Sequence, residues 1–290
     1  MISAYFIHLL ILAGIYIILA LSLQLSIGFT GMLNLGHIAF YAIGGYTSAL
    51  LLLHGWPFLA SLLVAGLLAM ASGFLLGLPT HRLKGDYLAL TTLGFSFVVY
   101  ALAINWSELT RGPLGIPGIP RPEIFGLQFS SNVSFLLLTV VLILITYFTL
   151  KKITTSRFGK VLEAIRDDET AVKILGKPTF KIKLISLGTA AFFAGIAGAL
   201  YASYITFIDP SSFTIMQLIP ILSMVIIGGA ASLEGTILAA VVLTLLPEPL
   251  RFIGFPSTII GPIRQVIYAL ALLVILIYRP KGFYGKVKLE

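Results

Sequence analysis

The sequence predicts an all-α protein, a polytopic membrane helix bundle of about eight to ten spans with room for broken or re-entrant helices. Three observations carry this reading. Of 290 residues, 58% belong to the set AVILMFWYC and only 10% are charged, against roughly 25% charged in soluble domains. The mean hydropathy is +1.04. The apolar residues also gather into nine runs separated by short polar stretches. So little polar surface cannot clothe a water-facing exterior, which excludes an ordinary soluble enzyme, a disordered chain and a nucleic-acid-binding domain. At roughly 20 residues per crossing, nine spans take up about 180 residues. Residues 1–290 therefore read as a single transmembrane domain with short loops.

The first run, Ile2 to about Ile27, lacks the basic leading region and small-residue cleavage site of a secretory signal. It is also too long for one and reads as a retained span. Runs follow at 37–53, 57–78, 87–104, 133–150, 184–206, 215–230, 236–250 and 258–278. Those at 215–230 and 236–250 hold only about 15–16 residues, which suits broken or re-entrant helices.

Charge placement orients the bundle. Fifteen of the nineteen lysines and arginines fall in three segments: nine between Lys151 and Lys183, Arg82 with Lys84, and Arg279, Lys281, Lys286 and Lys288 in the tail. With nine crossings all three lie on one side, the cytoplasm by the positive-inside rule. The C-terminus is then cytoplasmic, while the N-terminus and the loop at 105–132 lie outside. The net charge of +8 reads as a topology signal ahead of a phosphate-binding patch.

Catalytic signatures are missing. There is no cysteine, which removes disulfides, Cys-ligated zinc and iron–sulfur clusters. His8, His37, His54 and His81 show no metal-ligand spacing. No phosphate loop occurs, since Gly159-Lys160, Gly176-Lys177 and Gly285-Lys286 lack its context. No G-x-S-x-G elbow is present either. The chain reads as non-catalytic, with no cofactor and no metal. Ionisable residues fall almost wholly at span ends or in loops, which argues against a proton-driven carrier.

The segment from 151 to 183 is the most informative. Over 159–176, Val161, Ile165, Val172 and Leu175 form one apolar stripe at helical spacing, and Gly176 with Pro178 is a helix stop. Asp168 falls inside that stripe, so the spacing predicts two short helices with Asp168 as N-cap of the second. Such an amphipathic element suits either docking into a groove of a partner or lying on anionic lipid. Just after it, Ala191, Gly195, Ala199 and Ser203 recur every four residues, as do Ala190, Ala194, Gly198 and Ala202, with Gly73 and Gly77 a weaker echo. These ridges of small side chains predict close helix packing.

Residues 28–46 mix glycines with uncharged polar groups between apolar runs. Irregular backbone at membrane depth must be buried in protein or line a cavity. Asn34 and His37, and in the stretch at 85–95 Thr91 and Thr92, are candidates for a translocation path. A turn with helix–helix hydrogen bonds fits the same residues. Gly228, Gly229 and Gly235 form a similar late interruption. In the outer loop, Gly112, Pro113, Gly115, Pro117, Gly118 and Pro120 predict stiff turns, fitting an extracellular gate, a docking surface or a plain connector.

Four stretches together resemble the M-type permease subunit of branched-chain amino-acid ABC importers: GFTGMLNLGHIAFYAIGGY (28–46), GDYLALTTLGF (85–95), TRGPLGIPGIP (110–120), and EAIRDDETAVKILG (163–176) running into FFAGIAGALYA (192–202). A late stretch, IIGGAASLEGTILAAVVLTLLPE (226–248), also fits, except that Ala231 stands where the family usually has glycine. By the same resemblance the chain is expected to start almost at the first shared span, without the extra leading helices of longer members. The resemblance implies a second homologous permease subunit, two cytoplasmic ATPase subunits and an extracytoplasmic substrate-binding protein as partners, in a prokaryotic cell (inner) membrane. It also implies that Glu163, Ala164, Ile165, Arg166, Asp167, Asp168, Glu169, Ala171 and Gly176 couple the bundle to an ATPase. Urea and short-chain amide importers use similar permeases and remain the alternative substrate class. An autonomous carrier or channel, and an intramembrane enzyme, are the rivals of other classes.

Overall fold

The computed structural model describes residues 2–80, 83, 85–124, 126–248, 257–279 and 282–285. Of the residues named above, His81 and, among those that set the orientation, Arg82, Lys84, Lys281, Lys286 and Lys288 lie outside the described residues. The helices are α1 (Ile2–Gln24), which continues as a π-helical turn (Leu25–Phe29), α2 (His37–Leu53), α3 (Phe58–Thr80), α4 (Gly85–Asn105) and the short α5 (Ser107–Thr110). They continue with α6 (Asn132–Thr155), α7 (Arg157–Ile174), α8 (Thr179–Ile205), α9 (Ile215–Gly228), α10 (Leu233–Leu245) and α11 (Ser257–Tyr278). Among the described residues six helical segments are long and apolar enough to cross a membrane, and three shorter apolar ones are His37–Leu53, Leu233–Leu245 and Gly261–Ile275. These nine correspond to the nine apolar runs. The protein is an all-α membrane helix bundle.

Helix α8 lies at the centre, packed most extensively on α3 and α2. Lipid tails are as apolar as leucine, so helices here associate through close packing and not through escape from water. The two ridges of small residues make that packing possible. Ala190, Ala191, Ala194, Ala199 and Ala202 are fully buried. Toward α3, a Cβ on Gly195 would lie 2.8 Å from the Ala65 carbonyl, and one on Gly73 would lie 2.8 Å from the Ala191 side chain. Toward α2, Gly44 meets the Gly195 backbone and Gly198 meets the Tyr41 carbonyl, with no room for a methyl group on either glycine. Gly73 and Gly77 both face α8, so the weak echo in α3 is the partner of the strong pattern.

The chain reverses at two ends. At one end lie α7, the turn at 30–36 and the turn at 229–232. At the other, the loop at 105–132 folds over the end of α8. There β1 (Ile116–Pro117) pairs antiparallel with β4 (Phe207–Ile208), and β2 (Glu123–Ile124) pairs with β3 (Leu127–Gln128). Ile116 and Ile119 are buried, and the Ile119 amide donates to the Thr206 carbonyl at 3.2 Å. The loop is thus more ordered than turns alone. Gly112, Gly115 and Gly118 have φ of 55°, 68° and 76°, and between them Gly112–Leu114 forms a single 3₁₀ turn. Gly112 and Gly115 are buried while Pro113, Pro117, Gly118 and Pro120 face outward.

Helices α9 and α10 hold 14 and 13 residues, about 20 Å each at 1.5 Å per residue, short of the ~30 Å hydrocarbon core. A 3₁₀ turn at Pro210–Phe213 lengthens the α9 side. The two are joined by a tight turn in which Gly229 has φ 99° and Ala231 has φ 59°. Ser232 then caps α10, its hydroxyl accepting from the Gly235 amide at 3.1 Å. The turn requires a left-handed residue at 231, where an L side chain crowds the carbonyl. Replacing Ala231 by glycine is expected to stabilise the protein by about 1 kcal/mol. Thermal unfolding in detergent should show a higher midpoint for Ala231→Gly; an unchanged or lowered midpoint would show that the position is not strained.

Candidate functional site

Helix α7 is built in two pieces. The Ser156 hydroxyl accepts from the Gly159 amide at 3.3 Å and opens the first. Asp168 breaks the helix with φ −153° and ψ 96°. Its carboxylate accepts from the Thr170 and Ala171 amides at 2.8 and 3.0 Å and so caps the second piece, as the spacing predicts. The break also resets the helical phase. Ile165 and Val172 are buried together with Leu162, whereas Leu175 is 76% exposed beside Ile174 at 81%. A continuous stripe would have buried Leu175; the reset turns an apolar pair outward at the end of the helix.

The inner face of α7 is fastened at two points. Arg166 Nη1 donates to the Gly28 carbonyl at 2.8 Å, in the π-helical turn that ends α1. Its stem lies against Gly31, where φ is 71° and a Cβ would fall 2.8 Å from Arg166 Cγ. Glu169 reaches the start of α8, accepting from Lys183 at 3.2 Å and from the Thr179 hydroxyl at 3.2 Å, and it pairs with Lys173 at 3.0 Å. Burial pushes the Glu169 carboxyl up, but the ammonium groups of Lys173 and Lys183 outweigh it and hold the pKa below the ordinary glutamate value. Beside this seam the Thr30 and Ser186 hydroxyls are 2.7 Å apart.

The nine residues of this segment that the resemblance singles out therefore divide. Ile165, Arg166 and Glu169 face the bundle; Ala164, Asp167, Asp168, Ala171 and Gly176 face out; Glu163 is half-buried between them. Asp167 also accepts from Arg166 Nε at 2.9 Å while remaining largely exposed.

The four translocation-path candidates do not form one group. Asn34 and Thr92 are both buried and line one cavity with Met32, Thr80 and Lys183. The Thr92 hydroxyl accepts from the Leu35 amide at 3.0 Å, and the Asn34 carbonyl oxygen accepts from the Gly36 amide at 3.0 Å. Asn34 Nδ2 has no partner among the described residues. His37 lies elsewhere, with Nε2 2.9 Å from the Ser22 hydroxyl and 3.2 Å from the Leu19 carbonyl, so it pins the start of α2 to α1. Thr91 is exposed on the outer side of α4, its hydroxyl donating to the Tyr87 carbonyl at 2.8 Å.

Sequence reasoning missed two features. Gln24 Nε2 donates to the Gly229 carbonyl at 2.7 Å, joining the end of α1 to the α9–α10 turn. The signal was a lone amide within an otherwise apolar run. The second is an exception to the rule that ionisable residues fall almost wholly at span ends or in loops. Arg264 lies two turns inside α11 and pairs with Glu248 at 2.9 Å.

Residues 5–278 match the family described as the branched-chain amino acid transport system permease component. The chain is 38% identical over 296 residues to the high-affinity branched-chain amino acid transport system permease protein LivM of Escherichia coli (strain K12), an alignment covering 93% of this chain and 68% of that one. It is 26% identical over 315 residues to the probable branched-chain amino acid transport permease protein LivM of Methanocaldococcus jannaschii, covering 93% and 90%. It is also 26% identical over 210 residues to the autoinducer 2 import system permease protein LsrC of Yersinia pestis (strain Pestoides F), covering 70% and 58%. No solved structure matches the chain. The family match spans nearly the whole bundle, including the fastened α7 and the glycine-rich turns, and the chain belongs to the branched-chain amino-acid ABC-transporter permeases, M-type subunit.

Proposed function

We propose that this chain is the membrane-spanning permease subunit of an ATP-driven importer for branched-chain, hydrophobic amino acids. In this reading it pairs with a second homologous permease. Two cytoplasmic ATPase subunits engage the coupling segment at 151–183, and an extracytoplasmic binding protein delivers solute to the end covered by the loop at 105–132. The N-terminus lies outside and the C-terminus inside a prokaryotic inner membrane. The chain itself carries out no chemistry; ATP hydrolysis belongs to the partners.

One observation carries the coupling role. Helix α7 presents a charged and apolar outer face, with Asp167, Asp168, Ala171, Ile174 and Leu175 exposed, while its inner face is latched by Arg166 to α1 and by Glu169 to α8. An interfacial helix on lipid needs no such latch. A helix that receives a push from a partner does, because motion spreads through packed and hydrogen-bonded elements. Asn34 and Thr92 lie just beyond the latch, where a solute leaving for the cytoplasm would pass.

The direct test is reconstitution with the cognate ATPases, second permease and binding protein. ATP-dependent uptake of leucine, isoleucine or valine is expected from the assembly, and none from this chain alone. Solute flux through the lone chain would instead make it an autonomous carrier or channel, and uptake of urea in place of leucine would make it an amide importer. A second test targets the outer face. Asp167→Lys reverses charge on the surface offered to the ATPase and is expected to insert and assemble normally while abolishing solute-stimulated ATP hydrolysis. Normal stimulation in the assembled variant would refute the coupling role.

A further inference from the structure

At the loop end of the bundle a cavity of about 290 Å³ opens between α1, α9 and α11, reaching from Glu248 near the end of α10 down to Tyr16 and Tyr268. Its scale falls near the lower edge of the ~300–1,000 Å³ typical of small-molecule sites. Polar lining comes from Tyr16, Gln217, Glu248, Arg264, Gln265 and Tyr268, and an apolar wall comes from α1 and α9. A smaller cavity shares Tyr16 and Gln217 with it and continues toward α2 and α8 along Tyr41, Tyr201 and Ser212. The two make a polar, aromatic-lined seam leading inward from the loop end.

A charged pair within a spanning segment is expensive and needs a reason. Among the described residues the pair is incompletely satisfied. Arg264 Nη2 donates to Glu248 Oε1 at 2.9 Å, and the Tyr5 hydroxyl donates to Glu248 Oε2. Arg264 Nε is nevertheless buried with no partner among the described residues. A buried guanidinium N–H left unmade is costly, and this one belongs to a side chain lining a cavity. Opposite charges therefore meet at one wall, beside amide and phenol groups. Across from them Pro220, inside α9, has no N–H to give the Met216 carbonyl. The apolar wall includes Leu12 and Met224.

We propose that this cavity binds the solute during import and recognises the zwitterionic head of a free α-amino acid, with Arg264 taking the carboxylate, Glu248 the ammonium, and the Leu12–Met224 wall an aliphatic side chain. This rests on the importer reading above. It differs from a structural ion pair in requiring both charges of the ligand, so a keto acid or a simple amide of similar size is a poor occupant.

The absence of cysteine gives a clean test. Single cysteines are introduced as Gln217→Cys on α9 and, separately, Thr244→Cys on α10, both lining the cavity, with Val141→Cys on the exposed face of α6 as control. In the complete reconstituted transporter, a charged thiol-specific methanethiosulfonate reagent is expected to label both cavity positions. Leucine at ten times its dissociation constant should slow that labelling about tenfold by simple occupancy. 4-Methyl-2-oxopentanoate, which lacks the ammonium, should not, and the control should respond to neither. Adding Arg264→Gln to the reporters should remove the protection, and Arg264→Lys should retain part of it. Equal protection by the keto acid would overturn zwitterion recognition. Reporters that the reagent never reaches, or that leucine never protects while the unmodified transporter still imports leucine, would overturn the cavity and leave the importer reading standing. No leucine uptake by the unmodified transporter would overturn both.

Discussion

The close approach of α8 to α2 and α3 is the constraint on which the rest of the structure depends. In lipid, packing must supply the adhesion that water supplies elsewhere, and packing is strongest where backbones touch. Gly44, Gly195 and Gly198 let α2 and α8 meet at the level of carbonyl oxygens, and Gly73 admits Ala191 from α8. With α8 held so tightly, both of its ends become fixed points. The N-terminal end carries Thr179, Lys183 and Ser186, which hold Glu169 of α7 and Thr30 of the adjoining turn. The C-terminal end carries β4, which holds the loop at 105–132 through β1. A loop rich in proline and glycine would have no regular partner without that edge.

The same spine connects a surface helix to the interior. Arg166 bonds to a carbonyl in the π-helical turn of α1. Such turns widen the helix locally and are found often at functional sites. Five residues earlier than Phe29, Gln24 ties α1 to the turn between α9 and α10. The backbone amides of Phe283 and Tyr284 donate to the Ile227 and Gly228 carbonyls at the same turn. α7, the end of α1 and the α9–α10 turn are therefore one hydrogen-bonded chain of elements. The two short helices beyond it run back toward the charged cavity at the opposite end.

Much of this was legible in the sequence, and what was legible was local. The nine apolar runs, the i, i+4 ridges of α8 and the cap at Asp168 each depend on residues close in the chain. What was not legible depends on distant partners. Nothing near Arg166 points to Gly28, and nothing near Arg264 points to Glu248. The two-residue pairing of Ile116 with Ile208 leaves no periodic trace. Thr91 and Thr92 are adjacent and chemically identical, yet a turn of about 100° puts one outward and the other against Leu35. Leu175 misled because the kink at Asp168 interrupts the phase on which the stripe was counted.

If α7 and the turn at 30–36 transmit motion as one body, their separation must not change while the transporter cycles. Spin labels on Ala171→Cys and Leu33→Cys, both exposed positions, measure this in the reconstituted assembly by pulsed electron paramagnetic resonance. A second pair, Ala171→Cys with Trp56→Cys at the opposite end, reports that the cycle is proceeding. The latch predicts a 33–171 distance that is the same with and without ATP while the 56–171 distance shifts. A 33–171 distance that changes on ATP binding would contradict it.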